Sequence, residues 1–213
     1  MKSHAQVAII GGGIMGVSLL YHLAKEGWSD VVLIEKGELT SGSTWHAAGQ
    51  CPHFVGSYNL AKVHLHSTEL YKRLEKETGQ STGWHGCGSL RLAYTQKDLD
   101  WFYYVKGILD GVGCPAEIVS TQEISKIHPF IKLDGIIGGL HTPEDGHTDP
   151  TSTTNAMAKG ARNDGAEIYR YNRVTNINRL PTDEWELVTE KGNIVCEHVV
   201  NAAGSFCPEV GQM

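Results

Sequence analysis

Gln6-Val7-Ala8-Ile9-Ile10-Gly11-Gly12-Gly13-Ile14-Met15-Gly16, followed by Val17 to Glu26 and then by Val31-Val32-Leu33-Ile34-Glu35, is the stretch that decides the fold. Its short β-branched run reads as a buried strand, and the glycines end it. Val17, Leu19, Leu20, His22 and Leu23 continue as a helix to about Glu26, where Gly27 stops it. Val31 to Ile34 is a second buried strand, so the unit is βαβ. A GxGxxG string alone is generic, but this one leaves a strand, opens a helix and is answered by Glu35, 19 residues after Gly16. Those three conditions are the fingerprint of dinucleotide binding. Gly11 allows the tight turn, Gly13 lets the backbone approach a pyrophosphate, and Gly16 permits close helix–strand packing. The helix N-terminus offers free N–H groups and partial positive charge. Glu35 can accept from both hydroxyls of an adenosine ribose and would repel a 2′-phosphate, which disfavours NADP. The bland alternative is a glycine-rich turn that holds no ligand.

Outward from this unit the parallel pattern breaks. A Gly/Ser/Thr loop runs from Gly37 to Gly49, followed by an amphipathic helix from about Leu60 to Thr78, a strand from Ser89 to Tyr94 and a helix from about Lys97 to Gly111. Asp149 and Pro150 then make an N-cap and first-turn pair opening a helix to about Asp164. Glu167 to Tyr169 reads as a returning strand. Val174 to Asn178, Glu184 to Thr189 and Asn193 to Cys196 read as a small antiparallel meander, and His198 to Ala202 as a further buried strand. The predicted fold class is α/β: a Rossmann-type sheet in two segments, 1–50 and 145–213, interrupted at 51–144 by a partial α+β substrate domain. Pro208 to Met213 shows no cap or stop signal, so the chain is expected to end inside an element, as a C-terminally truncated one would.

Composition narrows the function classes. The 213 residues carry 18 basic and 24 acidic side chains, a net charge of −6, which does not provide the basic face that a nucleic-acid partner needs. Glycine is in excess, 25 residues, and clustered where backbone would meet a ligand or turn sharply. Cys51, Cys87, Cys114, Cys196 and Cys207 are odd in number, dispersed and without CxxC, so the expectation is neither a disulfide framework nor a zinc site, in a reducing compartment. Val7 to Leu20 is too short and too glycine-rich to span a bilayer and lacks a cleavage site. The expected location is the cytoplasm, or the mitochondrial matrix if a transit peptide precedes these residues.

FAD and NAD share the glycine fingerprint, and two features favour FAD. An inserted domain is what a flavoprotein needs to roof an isoalloxazine ring. Thr40-Ser41-Gly42-Ser43-Thr44, soon after the second strand, supplies hydroxyls and backbone N–H groups where an extended cofactor would continue past its pyrophosphate. A plain polar surface loop is the competing reading.

Ser43-Thr44-Trp45-His46-Ala47-Ala48-Gly49, with Asp145-Gly146-His147-Thr148-Asp149-Pro150 and Asn201-Ala202-Ala203-Gly204, resembles the dimethylglycine and sarcosine dehydrogenase group of the glycine-oxidase-like flavoprotein amine oxidoreductases, over essentially the whole chain. The resemblance implies FAD, attached covalently through His46, whose neutral imidazole is a competent nucleophile. It also implies a cofactor site built from Ile14, Met15, Glu35, Lys36, the stretch Gly42 to Gln50 (with Ser43, Thr44, Trp45, Ala47, Ala48 and Gly49), Val174 through its backbone, and Gly204 and Phe206. The implied reaction is oxidative demethylation, dimethylglycine to sarcosine first and sarcosine to glycine second. A hydride passes to flavin N5, and the one-carbon unit goes to water or tetrahydrofolate. The implied partners are a small N-methyl amine, an electron-transfer flavoprotein and tetrahydrofolate, the last two through regions absent from this chain. Substrate-contacting residues fall mostly downstream of Met213, so no catalytic acid or base is named, and these 213 residues on their own are expected to be inactive.

Three other readings stand beside it. The architecture also resembles the regulatory subunit of pyruvate dehydrogenase phosphatase, a non-catalytic flavin-binding-type protein. An amino-acid oxidase of the glycine oxidase class and a free-standing NAD-binding module are the others. No metal is expected: His64 and His66 do not share a helix face, and His141 and His147 beside Asp145 read as hydrogen-bonding residues. Trp84, Trp101 and Phe102 read as core, and Glu75-Lys76-Glu77 as a solvated helix end.

Overall fold

The apolar run ahead of the glycines forms strand β1 (His4–Ile10), the helix after them is α1 (Ile14–Lys25), and Val31–Ile34 is β2, in a computed structural model that describes residues 1–213. β1 and β2 pair in parallel from Val7 with Val31 to Ile10 with Ile34, and α1 supplies the crossover that a parallel pair requires. All four residues of β2 are buried, as expected of a strand covered on both faces. Gly27 takes φ +89 just past the end of α1, a left-handed value that closes the helix.

The chain then passes through a 3-10 turn at Thr44–His46, β3 (Gln50–Cys51), α2 (Tyr58–Thr78), β4 (Ser89–Ala93), α3 (Gln96–Val112), β5 (Glu117–Val119), α4 (Thr121–Ile127), β6 (Gly138–Thr142) and β7 (Gly146–His147). It returns through α5 (Pro150–Asn163), β8 (Glu167–Tyr169), β9 (Val174–Arg179), β10 (Trp185–Thr189), β11 (Ile194–Asn201), a 3-10 turn at Gly204–Phe206 and α6 (Cys207–Val210). These elements divide into two units: Met1–Ala48 with Leu74–Thr82 and Asp149–Met213, and Gly49–Arg73 with Gly83–Thr148.

In the first unit a six-stranded sheet has the order β8-β2-β1-β11-β10-β9. The first four strands are mutually parallel, and β10 and β9 extend the sheet antiparallel. Strand alternation sends Ala8, Ile10, Val32 and Ile34 into one cluster with Val174, Leu187, Ile194 and Val210. Helices α1 and α5 pack on each other, and a Cβ at Gly160 would stand 2.7 Å from the Tyr21 ring, so glycine sets how closely they approach. α5 begins as its sequence predicts: Asp149 accepts the Ser152 N–H at 2.6 Å, and Pro150 occupies the first turn.

In the second unit β4, β6 and β5 form an antiparallel sheet, and β3 pairs with β7. Phe102, Val105 and Leu109 of α3 pack with Ala93 and Leu140 of that sheet. Reciprocal capping boxes, Thr95 with Asp98 and Ser120 with Glu123, start α3 and α4.

The structure corrects several expectations. Asn193 to Cys196 and His198 to Ala202 are one continuous strand, β11, because its long parallel register with β1 carries it through Glu197. Its second half is not buried: His198 is exposed and Val199 and Val200 are half-buried. β5, α4 and β6 had no counterpart among the expected elements, since Gly138-Gly139-Leu140 lacks a β-branched signal and α4 is only 7 residues long. Trp101 is not core: it is 46% exposed and stacked on Tyr104. Residues 74–82 belong with the first unit and 145–148 with the second, because Asp145 and His147 bond to β4 and to His85. α6 closes at Val210 rather than running on to Met213.

Candidate functional site

The glycine turn lies where β1 and β11 end side by side, and the two backbones almost touch. Gly11 has φ +117, and a Cβ there would stand 2.4 Å from the Ala202 carbonyl oxygen. A Cβ on Gly16 would stand 2.0 Å from the Gly11 carbonyl oxygen. Side chains are therefore excluded on both flanks of the turn, and α1 is set tightly against it.

What this geometry leaves free is a set of donors. The Gly12 N–H goes to Glu35 Oε2 at 2.6 Å and the Ile14 N–H to Thr44 Oγ1 at 3.0 Å. Those of Gly13, Met15 and Gly16 meet no acceptor within the protein. Unpaired first-turn N–H groups at the positive end of a helix make an anion site.

Around them lies a cavity of about 670 Å³, walled by Ile10, Ile34, Val174 and Val210 on the apolar side and by the glycine turn on the polar side. Of the residues singled out in the sequence, Gly11, Gly13, Ile14, Met15, Glu35, Lys36, Gly42, Ser43, Thr44, His46, Ala47, Val174, Gly204 and Phe206 line it. Gly16, Trp45, Ala48, Gly49 and Gln50 do not. Gly16 faces Gly11, and Trp45 is 57% exposed with its ring against the His46 imidazole at 3.8 Å. The wall also includes Ser41 of the Thr40–Thr44 loop, Ala202 and Ala203 of the motif ending at Gly204, and four residues the sequence did not single out, Asn172, Arg173, Ser205 and Glu209. Several sit within or beside the motifs quoted above, so proximity in sequence was the available signal.

The Glu35 carboxylate is held on both of its oxygens. Oε1 accepts the Gly37 N–H at 2.7 Å, so the side chain ties the glycine turn to the chain leaving β2. The Lys36 ammonium lies 3.2 Å from the Phe206 ring centroid, joining two wall residues by a cation–π contact. His46 donates its Nδ1–H to the Gly42 carbonyl at 3.2 Å. A carbonyl can only accept, so the neutral ring keeps its lone pair on Nε2.

In the second unit Asp145 is fully engaged as a hydrogen-bond acceptor. It accepts from His53 Nδ1 at 2.5 Å, from the His53 backbone N–H at 2.8 Å, and from Ser89 and Thr142 hydroxyls at 2.5 Å each. His53 Nε2 donates to Thr68 Oγ1 at 2.8 Å, whose own hydroxyl goes to the Leu65 carbonyl. Burial is the largest single influence on His53 and opposes its charge, but the hydrogen bonds and charges of Asp145 and Cys114 together outweigh it and lift its pKa to about 9. Burial likewise works against the Asp145 carboxylate, and the bonds from His53, Ser89 and Thr142 hold its pKa below the usual value. His53 gave no signal in the sequence, since its partner lies 92 residues away. No group of three or more His, Cys, Asp or Glu is placed to hold a metal ion, and no helix is long and apolar enough to cross a membrane.

Residues 6–213 match the model of the family described as FAD dependent oxidoreductase. The chain belongs to that family. Among its relatives, dimethylglycine dehydrogenase, mitochondrial, of Rattus norvegicus is 45% identical over 212 residues, covering 100% of this chain and 25% of the relative. The pyruvate dehydrogenase phosphatase regulatory subunit, mitochondrial, of Mus musculus is 37% identical over 211 residues, 99% of this chain and 24% of that protein. Among solved structures, L-proline dehydrogenase from P. horikoshii superimposes with a TM-score of 0.91 at 29% identity, covering 100% of this chain and 56% of that one. The chain thus spans about a quarter of the length of the curated relatives it matches. The cavity fits FAD on its own terms: unpaired N–H groups for a pyrophosphate, a turn in which side chains are excluded, an acidic residue at the end of β2 and an apolar wall.

Proposed function

We propose that this chain is the FAD-binding part of an enzyme that oxidatively demethylates an N-methylated glycine, with dimethylglycine the first substrate and sarcosine the second. The observation that carries this reading is His46 on the cavity wall, within the Thr44-Trp45-His46-Ala47-Ala48-Gly49 string, in a chain 45% identical throughout to a dimethylglycine dehydrogenase. Bound FAD supplies the two-electron acceptor for the N-methyl C–H.

The chain's own residues do the holding. The first-turn N–H groups of Gly13, Met15 and Gly16 receive the pyrophosphate, and the free lone pairs of Glu35 take the adenosine ribose hydroxyls. Val174 contacts the adenine through its backbone, and Ser41 to Ala47 carry the flavin end. His46, its Nδ1–H held by the Gly42 carbonyl, bonds the flavin covalently through Nε2. Electron-transfer flavoprotein and tetrahydrofolate are the onward acceptors this reading implies, through regions outside these residues.

A second reading, a regulatory flavin-binding protein without turnover, draws on the 37% identity to the phosphatase regulatory subunit. The experiment separating the two uses the full-length polypeptide under anaerobic conditions. Dimethylglycine should bleach the flavin absorbance, and sarcosine should do so more slowly. A yellow protein that neither amine bleaches would leave the regulatory reading standing. Acid precipitation should leave flavin in the pellet, and His46→Ala should release it to the supernatant.

A further inference from the structure

We infer that the Thr44 hydroxyl is a positioning group that sets His46 for its bond to the flavin; this rests on the covalent reading above. His46 sits in a 3-10 turn closed by its own N–H on Ser43 at 3.2 Å and by the Ala47 N–H on Thr44 at 3.2 Å. The ring is held within the same turn, by Nδ1–H on the Gly42 carbonyl. All of these bonds are internal to residues 42–47, so they fix the shape of the turn but not its place against α1.

Two ties fix its place against the glycine turn and α1, while Thr40 Oγ1, 3.3 Å from Thr151 Oγ1, holds the start of the loop to α5. The Thr40 N–H donates to the Gly12 carbonyl at 2.9 Å, and Thr44 Oγ1 accepts the Ile14 N–H at 3.0 Å. The first lies six residues before His46 and the second only two, so Thr44 is the short lever. The same oxygen stands 3.0 Å from where a Gly13 Cβ would be, which leaves little room for the turn to shift toward the helix. Thr40 itself adopts φ +70, a left-handed value unfavourable for a β-branched residue. The loop is therefore held in one conformation by contacts on both sides, as strained functional loops are. One hydroxyl thus links the N–H row that faces the cofactor phosphates to the residue that reaches the flavin ring.

In the attachment step the flavin 8α-methyl carbon loses one C–H and His46 loses one N–H. The Nε2 lone pair forms the C–N bond, and two electrons and two protons remain on the ring system until dioxygen removes them as hydrogen peroxide. A nucleophile displaced by about 1 Å reacts up to about a hundredfold more slowly.

The test is to reconstitute full-length apoprotein with FAD in air and follow flavin that survives acid precipitation against total bound flavin. Thr44→Val, isosteric but without the acceptor, should bind FAD yet incorporate it covalently about tenfold to a hundredfold more slowly. Thr44→Ser, which keeps the oxygen, should incorporate it at the wild-type rate. If Thr44→Val does not fold, Thr44→Ala carries the same comparison. Wild-type incorporation in the hydroxyl-free variant, or a serine variant as slow as it, overturns this inference and leaves the covalent reading intact. Wild-type protein with no acid-stable flavin overturns both.

Discussion

Glu35 accepts the backbone N–H of Gly12 at 2.6 Å across 23 residues of sequence, which binds the end of β2 to the middle of the glycine turn. With the Gly37 N–H on its other oxygen at 2.7 Å, the residue expected to receive a ribose also shapes the loop that would hold the phosphates. Binding and local folding share one carboxylate.

Glu35→Ala should therefore lower stability even without cofactor, by about 1–3 kcal/mol for the two N–H groups left without their acceptor. Glu35→Gln should recover part of the loss, because one amide oxygen still accepts while its NH₂ opposes the other donor. Urea unfolding of the apoprotein measures the first effect, and FAD affinity in a His46→Ala background measures the ribose contribution without the covalent link. An unchanged urea midpoint in Glu35→Ala would show that the tie to Gly12 contributes nothing to folding.

Two glycines separate close packing from backbone conformation. Gly16→Ala puts a methyl 2.0 Å from a backbone oxygen that cannot move aside, so the turn must open, and FAD retention should be lost. Gly204→Ala meets nothing within 4 Å and suffers only its φ of +59, a cost of about 1–2 kcal/mol. Thermal melts with and without FAD should rank the two far apart; equal losses would mean that the close contact at Gly16 relaxes freely.

His53 and Asp145 predict a pH dependence of definite sign. The folded-state pKa of His53 is raised from 6.5 to about 9, so its contribution is complete below pH 6.5 and is lost as pH rises through about 9. The Asp145 pKa is lowered from 3.8, so its contribution is present above that value and is lost as pH falls further. Unfolding free energy measured by urea from pH 5 to 10 should fall across the 6.5 to 9 window. His53→Ala should abolish that slope and cost up to about 3–5 kcal/mol at neutral pH by removing the ionic partner of the buried Asp145, which keeps only the Ser89 and Thr142 hydroxyls and the backbone N–H of residue 53. A flat profile in the wild type would show that His53 binds its proton equally well in the folded and unfolded states.

Asp149→Ala removes the acceptor of the Ser152 N–H at the start of α5. A loss of about 1 kcal/mol in chemical denaturation is expected, with Asp149→Asn close to wild type. A larger loss would point to a contribution from Asp149 beyond its cap.

Local chemistry is what the sequence determined. A β-branched run, a glycine turn, an amphipathic helix and a second apolar run specify β1, α1 and β2, because each signal acts within a few residues; Asp149-Pro150 starts α5 for the same reason. Gly11, Gly13 and Glu35 were legible because their spacing defines their geometry, whereas Ile14, Met15 and Lys36 came from the family resemblance. Long-range placement was decided by tertiary structure. β11 runs unbroken because β1 templates its length. The short elements β5, α4 and β6 exist because a sheet and a core support what seven or fewer residues cannot hold alone. His53 meets Asp145, Thr44 meets Ile14, and Glu35 meets Gly12 only after the chain has folded back on itself. Their hydrogen bonds depend on positions in space to within tenths of an ångström, which no periodicity along the sequence encodes.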